Sequence, residues 1–118
     1  MTVIDDVDTW VDACALDDLA VDRGSCVLIG PHQVALFRVP VEGSDDAVYA
    51  LSNYDPFSGA FVLSRGIVGS KADIPKVASP VYKQSFDLRT GECLDDASIT
   101  VAIFPVRIVG DRLLVGLA

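Results

Sequence analysis

Two stretches of this 118-residue chain have the look of a binding site whose binding atoms are missing. They are "LSNYDPFSG", Leu51 to Gly59, and "VASPVYKQSFDLRTG", Val77 to Gly91, each with a Pro-centred turn. A metal or cluster site would need thiolates, imidazoles or carboxylates gathered at ligand spacing. The three cysteines, Cys14, Cys26 and Cys93, form no CxxC or related pattern, and read as reduced, buried small apolar residues. The lone histidine, His32, follows Pro31 and reads as a surface turn residue. Ser25, Ser52, Ser58 and Ser85 have no histidine in a recognisable nucleophile arrangement. No Gly-rich loop leads into a helix, so a dinucleotide fingerprint is absent as well. No catalytic residue is expected in this chain.

The elements that must position these turns are strands. "SCVLIG", "QVALFRV", "AVYALS", "FVLS", "QSFDL", "ITVAIFPVRIV" and "RLLVGL" are β-branched or aromatic runs of strand length, separated by turn signals. Gly30 to His32, Arg89 to Glu92 and Val109 to Arg112 read as tight turns that need their glycines, and Glu42 to Asp46 as a polar loop. Helical spacing is weak and confined to "DACALDDLAVDRG", where a single turn near Leu16 to Leu19 is expected. From Ser52 to Pro80 the rhythm is broken by Asn53, Pro56, Gly59, Gly66, Gly69, Pro75 and Pro80. The expectation is one all-β domain over 1–118: a barrel or sandwich base from about 1–51 and 91–118, with a loop-rich insertion from about 52–90. Loops held by a rigid sheet are where function usually resides.

Length and composition permit one small domain with a single core. An apolar fraction of 51% argues against disorder, and the longest apolar runs, such as Val101 to Val106, are too short to cross a bilayer. The amino terminus, "MTVIDDVDTW", is acidic where a secretory leader is basic, so the cytoplasm is the expected compartment. The net charge of −8 is concentrated at the start: Asp5, Asp6, Asp8, Asp12, Asp17, Asp18 and Asp22 precede the first basic residue. Between Arg65 and Arg89 the sign reverses, with Lys71, Lys76 and Lys83 outweighing Asp73 and Asp87. So acidic a chain is not expected to bind nucleic acid, whereas a local basic region suits an acidic protein partner.

The two turns resemble those of the Rieske-type iron–sulfur fold, whose cluster loops read Cys-x-His and Cys-x-x-His. There thiolates hold one iron and imidazoles the other. "VYALSNYDPFSGAFVL" is similar to the strand and turn of the first pair, and "ASPVYKQSFDLRTGECL" to the second turn and the hairpin after it. The resemblance spans nearly the whole chain. It implies that Asp55 and Phe57 stand at the first Cys and His, and Ser79 and Tyr82 at the second. Phe57 has no donor atom, and the other three offer hard oxygens in place of soft sulfur. A conventional [2Fe–2S] cluster is therefore not expected.

With "DPFS", "VLSRGIVG" and "VASPVYKQSFDLRTGECLDD", this ligand-less pattern resembles one family in particular, the small subunit of cytoplasmic, assimilatory NAD(P)H-dependent nitrite reductase. The resemblance implies a Rieske-like chain without cofactor beside a large subunit that carries FAD, an iron–sulfur cluster and sirohaem and reduces nitrite to ammonium. No membrane partner is expected.

Each singled-out residue has a plain and a sharper reading. Asp55 is either a turn residue capping backbone N–H groups or half of an ion pair with Lys83, Arg65 or Arg89 across the gap between the loops. Phe57 and Tyr82 either pack the loops together or present aromatic anchors to a partner. Arg65, Tyr82, Lys83 and Gln84 are either solvated loop polarity or a docking face. The alternatives to an accessory reductase subunit are two. One is an electron-transfer protein with unorthodox ligands, Asp55, Ser79 or Tyr82 together with Cys93. The other is a freestanding binding module with a different partner.

Overall fold

The computed structural model describes residues 9–117. It contains strands β1 (Thr9–Ala15), β2 (Gly24–Ile29), β3 (His32–Val39), β4 (Ala47–Ser52), β5 (Tyr54–Asp55), β6 (Ala60–Phe61), β7 (Ile67–Lys71), β8 (Ile74–Ala78), β9 (Ser85–Asp87), β10 (Ile103–Phe104), β11 (Val106–Val109) and β12 (Arg112–Leu117). These strands pair antiparallel with one another, and an isolated parallel bridge joins Val21 to Arg38 of β3. A central sheet runs β10-β4-β3-β2, a second β1-β12-β11 and a third β7-β8-β9, with β5-β6 as a short ribbon.

The central strand explains the architecture. "VALF", Val34 to Phe37, is an unbroken apolar run rather than an alternating one, which is what a strand covered on both faces requires. All four residues are fully buried, yet they divide between two cores. Val34 and Leu36 join Val48, Phe104, Leu113 and Val115 in the core beneath the β1-β12-β11 sheet. Ala35 and Phe37 join Leu51, Leu63, Val77, Phe86, Leu88 and Cys93 in a second core on the opposite face. That second core is the seat of the Pro-centred turns.

One local expectation holds and two are corrected. The single turn expected near Leu16 to Leu19 is a 3-10 turn, Leu16–Asp18, and the residues before it form β1. Val11, Ala13 and Cys14 pack on the first core, Ala13 through a β-bulge between Asp12 and Cys14 that breaks strict alternation. "FVLS" is a strand only at Phe61, because Leu63 turns into the second core as the first residue of a 3-10 turn, Leu63–Arg65. "ITVAIFPVRIV" is split by Pro105, which lacks an N–H: β10 pairs with β4, and β11 switches sheet to pair with β12.

The middle of the chain is also more ordered than its prolines and glycines suggest. β7 and β8 form a hairpin closed by Ala72 and Asp73, both at positive φ (49° and 68°) without a glycine. That turn carries no compositional signal, which is why the hairpin is not legible beforehand. Of the cysteines, Cys93 is buried, Cys14 half-buried and Cys26 exposed, so the expectation of three buried thiols fails at Cys26. His32 is exposed, with its ring 5.7 Å from that of Phe104. Asp5, Asp6 and Asp8, and the reading of the amino terminus, lie outside the described residues. Among the acidic residues that follow, Asp12 takes a bidentate bond from Arg112.

Candidate functional site

The two Pro-centred turns are built to one plan. In the first, Asp55 accepts the Phe57 N–H on Oδ1 (2.9 Å), while its carbonyl accepts the Gly59 N–H (2.8 Å). In the second, Ser79 accepts the Val81 N–H on Oγ (3.3 Å), and its carbonyl accepts the Lys83 N–H (3.1 Å). The first residue of each turn thus ties down the third with its side chain and the fifth with its backbone. The fifth residue is left-handed in both, Gly59 at φ 75° and Lys83 at φ 68°. A third turn repeats the plan: Asp87 accepts the Arg89 N–H on Oδ1 and the Gly91 N–H on its carbonyl, with Gly91 at φ 79°.

The first two turns meet at their leading residues. Ser79 Oγ donates to Asp55 Oδ2 at 2.5 Å, and Ser58 Oγ donates to the same oxygen at 2.9 Å. Both Asp55 and Ser79 are fully buried. Burial by itself pushes the Asp55 carboxyl up, but the Ser79 hydroxyl, the Phe57 N–H and Ser58 more than offset it, and the group is held below the ordinary carboxylate value. A buried carboxylate is thereby accommodated by neutral donors. The capping reading of Asp55 stands and the ion-pair reading does not. Among the described residues the ion pairs are Arg38–Asp46, Arg89–Asp87 and Arg112–Asp12. Lys83 Nζ reaches the Pro80 carbonyl instead (3.0 Å).

The remaining singled-out side chains divide. Phe57 is half-buried, packs on the second core and lies 6.1 Å from the Phe86 ring centroid. Tyr82 is exposed, so the expectation that both rings pack the loops together holds for Phe57 and fails for Tyr82. Phe57 is third in its turn and carries the capped N–H, whereas Tyr82 is fourth, next to left-handed Lys83. Arg65 and Lys83 are exposed and Gln84 is half-buried, with its backbone carbonyl accepting the Ser79 N–H (2.8 Å).

Two contributors were not singled out by sequence. Asn53, counted only as a turn signal, is buried and ties β3 to the segment 61–64: its Oδ1 accepts the Ser64 N–H (2.7 Å), and its Nδ2 donates to the Phe61 carbonyl (3.1 Å) and Gln33 Oε1 (3.3 Å). A lone Asn closing an apolar strand was the available hint. Asp87 is buried beside Arg89, which bonds both its oxygens; burial raises its carboxyl, and Arg89 with the turn N–H groups brings it below the ordinary value.

The donor set does not fit a [2Fe–2S] cluster. At the four ligand positions implied by the fold, two oxygens, Asp55 Oδ2 and Ser79 Oγ, are spent on one another, Phe57 has no donor and Tyr82 points into solvent. Cys93, the thiol considered as an unorthodox ligand, is part of the second core, its N–H bonded to the Ile99 carbonyl.

The Rieske-like [2Fe-2S] domain family matches residues 9–116 of the chain. Over 99 residues the chain is 41% identical to the nitrite reductase (NADH) small subunit of Escherichia coli K12, covering 84% of this chain and 89% of that one. It is 39% identical over 107 residues to the nitrite reductase [NAD(P)H] large subunit of Klebsiella oxytoca, covering 91% of this chain and 11% of that one. A solved Mycobacterium tuberculosis structure, described as an NADH-dependent nitrite reductase small subunit, is 44% identical with a TM-score of 0.87, over 96% of this chain and 98% of that one.

Proposed function

From the premise that this chain belongs to the Rieske-like domain family, and within it to the nitrite reductase small subunits, we propose that it is the accessory, cofactor-free subunit of a cytoplasmic NAD(P)H-dependent nitrite reductase. In this reading the large subunit carries FAD, the iron–sulfur cluster and sirohaem and converts nitrite to ammonium. The small chain contributes no catalytic residue. Its cluster loops persist as a docking surface that includes Arg65, Tyr82, Lys83 and Gln84.

The observation that carries the reading is the Asp55–Ser79 junction. A hydrogen bond between two buried side chains joins the turns where the fold would otherwise place thiolates, so the loops keep their shape by their own contacts. The Klebsiella relative supports the choice of partner, because a domain like this one there forms part of the large chain itself. Among the described residues no helix is long and apolar enough to span a membrane.

The test is reconstitution. The intact chain, prepared anaerobically, is expected to contain no stoichiometric iron or acid-labile sulfide, to show no nitrite reduction with NADH alone, and to form a stable complex with its separately purified large subunit. Stoichiometric cluster iron would overturn the cofactor-free role, and failure to bind the large subunit would overturn the subunit role.

A further inference from the structure

The exposed large apolar side chains of residues 52–90 lie on the segments that lead into or out of the Asp55–Ser79 junction. Tyr54 directly precedes Asp55, and Phe61 pairs with Tyr54 across the β5-β6 ribbon, their rings 5.2 Å apart. Val81 and Tyr82 follow Ser79 in its turn. Ile67 pairs with Ala78, the residue before Ser79. Phe61 is 52%, Tyr82 61% and Ile67 69% exposed, so none serves the core of this chain. Strand alternation accounts for the outward rings, since Asp55, the neighbour of Tyr54, is fully buried.

A cluster of exposed aromatic and aliphatic side chains on an ordered scaffold is what an interface uses for its anchors. Here the scaffold is set before any partner arrives: the junction, the Asn53 bonds and the two left-handed fifth residues hold the turns in place. Pre-ordering lowers the entropy cost of association. Arg65 and Lys83 stand on the same segments, in a stretch whose basic sign is opposite to that of the whole chain.

We infer that Tyr54, Phe61, Ile67, Val81 and Tyr82 form one aromatic and aliphatic face that packs on the large reductase subunit, against an apolar surface with an acidic rim opposite Arg65 and Lys83. The inference rests on the small-subunit reading and deepens it: the anchors are apolar, and two of the five, Tyr54 and Phe61, lie on the ribbon that carries the first turn rather than at the basic tip. The occupant is the large subunit because the Klebsiella relative carries such a domain within that chain, where the partner surface is permanently at hand.

The experiment titrates the intact chain against the purified large subunit by calorimetry, comparing the unsubstituted chain with Phe61→Ala, Tyr82→Ala, the double variant and Val109→Ser on β11. Thermal melts and amide spectra of each variant alone verify the fold. Each aromatic truncation is expected to weaken binding by roughly tenfold or more and the double variant by more than either, while Val109→Ser stays within about twofold. No binding by the unsubstituted chain would remove the subunit reading itself. Normal binding by the double variant would leave that reading intact and overturn the assigned face. Self-association of the isolated chain abolished by Phe61→Ala would assign the face to a second copy instead, and would equally overturn it.

Discussion

The turns Asp55–Gly59 and Ser79–Lys83 share one backbone plan and use their side chains in opposite directions. In the first, the leading carboxylate is buried and the aromatic residue leans on Phe86. In the second, the leading hydroxyl is buried, but Val81 and Tyr82 both face outward. The first turn therefore supplies internal stability and the second supplies surface. The backbone bonds are the same, so the difference lies in what each side chain meets: Phe57 reaches the second core beside Phe86, whereas Val81 and Tyr82 stay at the surface.

The largest break in this comparison comes at the junction. Asp55→Ala is expected to lower the unfolding free energy by about 3 kcal/mol, because Ser79 and Ser58 lose a charged acceptor and a buried space is left. Ser79→Ala should cost about 2 kcal/mol, and a double-mutant cycle in denaturant should return a coupling of at least about 1 kcal/mol. A coupling near zero would mean that the turns are positioned independently.

Acid should expose the same bond. The folded Asp55 carboxyl is held below its unfolded value of about 3.9, so its stabilisation is complete above that pH and is lost as the pH falls through the lower, folded value. Asp87 acts with the same sign in the same window. Asp55→Asn is expected to flatten part of this acid limb in stability measurements across pH. Salt separates the two groups, since Asp87 leans on a cation and Asp55 on neutral donors: raising the ionic strength should move the Asp87 titration toward its ordinary value and leave that of Asp55 in place.

The aromatic pair sharpens the contrast at a smaller scale. Phe57→Ala should cost about 1.5 kcal/mol of stability, as befits a half-buried ring, while Tyr82→Ala should leave the unfolding midpoint unchanged. Effects smaller than that of Phe57→Ala belong to the fifth residues. Gly59→Ala should cost about 1 kcal/mol, because φ 75° is strained for any residue with a Cβ even though its nearest neighbour, Tyr54 Oη, is 3.8 Å from the added atom. Lys83→Gly should stabilise by about 0.5 kcal/mol by relieving the same strain. Shifts of opposite sign in melting experiments would show the two turns to be one plan with different residues.

Much of the fold is written locally. "QVALFRV" falls within β3, "AVYALS" coincides with β4, and "RLLVGL" with β12. These are runs whose β-branched and apolar content leaves no competing period. The unreadable parts are those where local chemistry is neutral or misleading: β1 is masked by a bulge, and the β7-β8 hairpin turns through Ala72 and Asp73 without glycine. At the site, the capping role of Asp55 follows from Asp before Pro. The role of Asn53 and the meeting of Asp55 with Ser79 do not, because residues 24 apart in sequence announce no contact.

By itself, then, the amino-acid sequence determined the all-β class, the two Pro-centred turns and the donor types at them, since strand propensity, turn chemistry and the presence or absence of thiolates are properties of single residues and their immediate neighbours. The tertiary structure alone decided that Asp55 closes on Ser79 rather than on a cation, and that Phe57 turns inward while Tyr82 turns out. Burial and partnership are set by which surfaces the packed sheets bring together, and that depends on the whole chain at once.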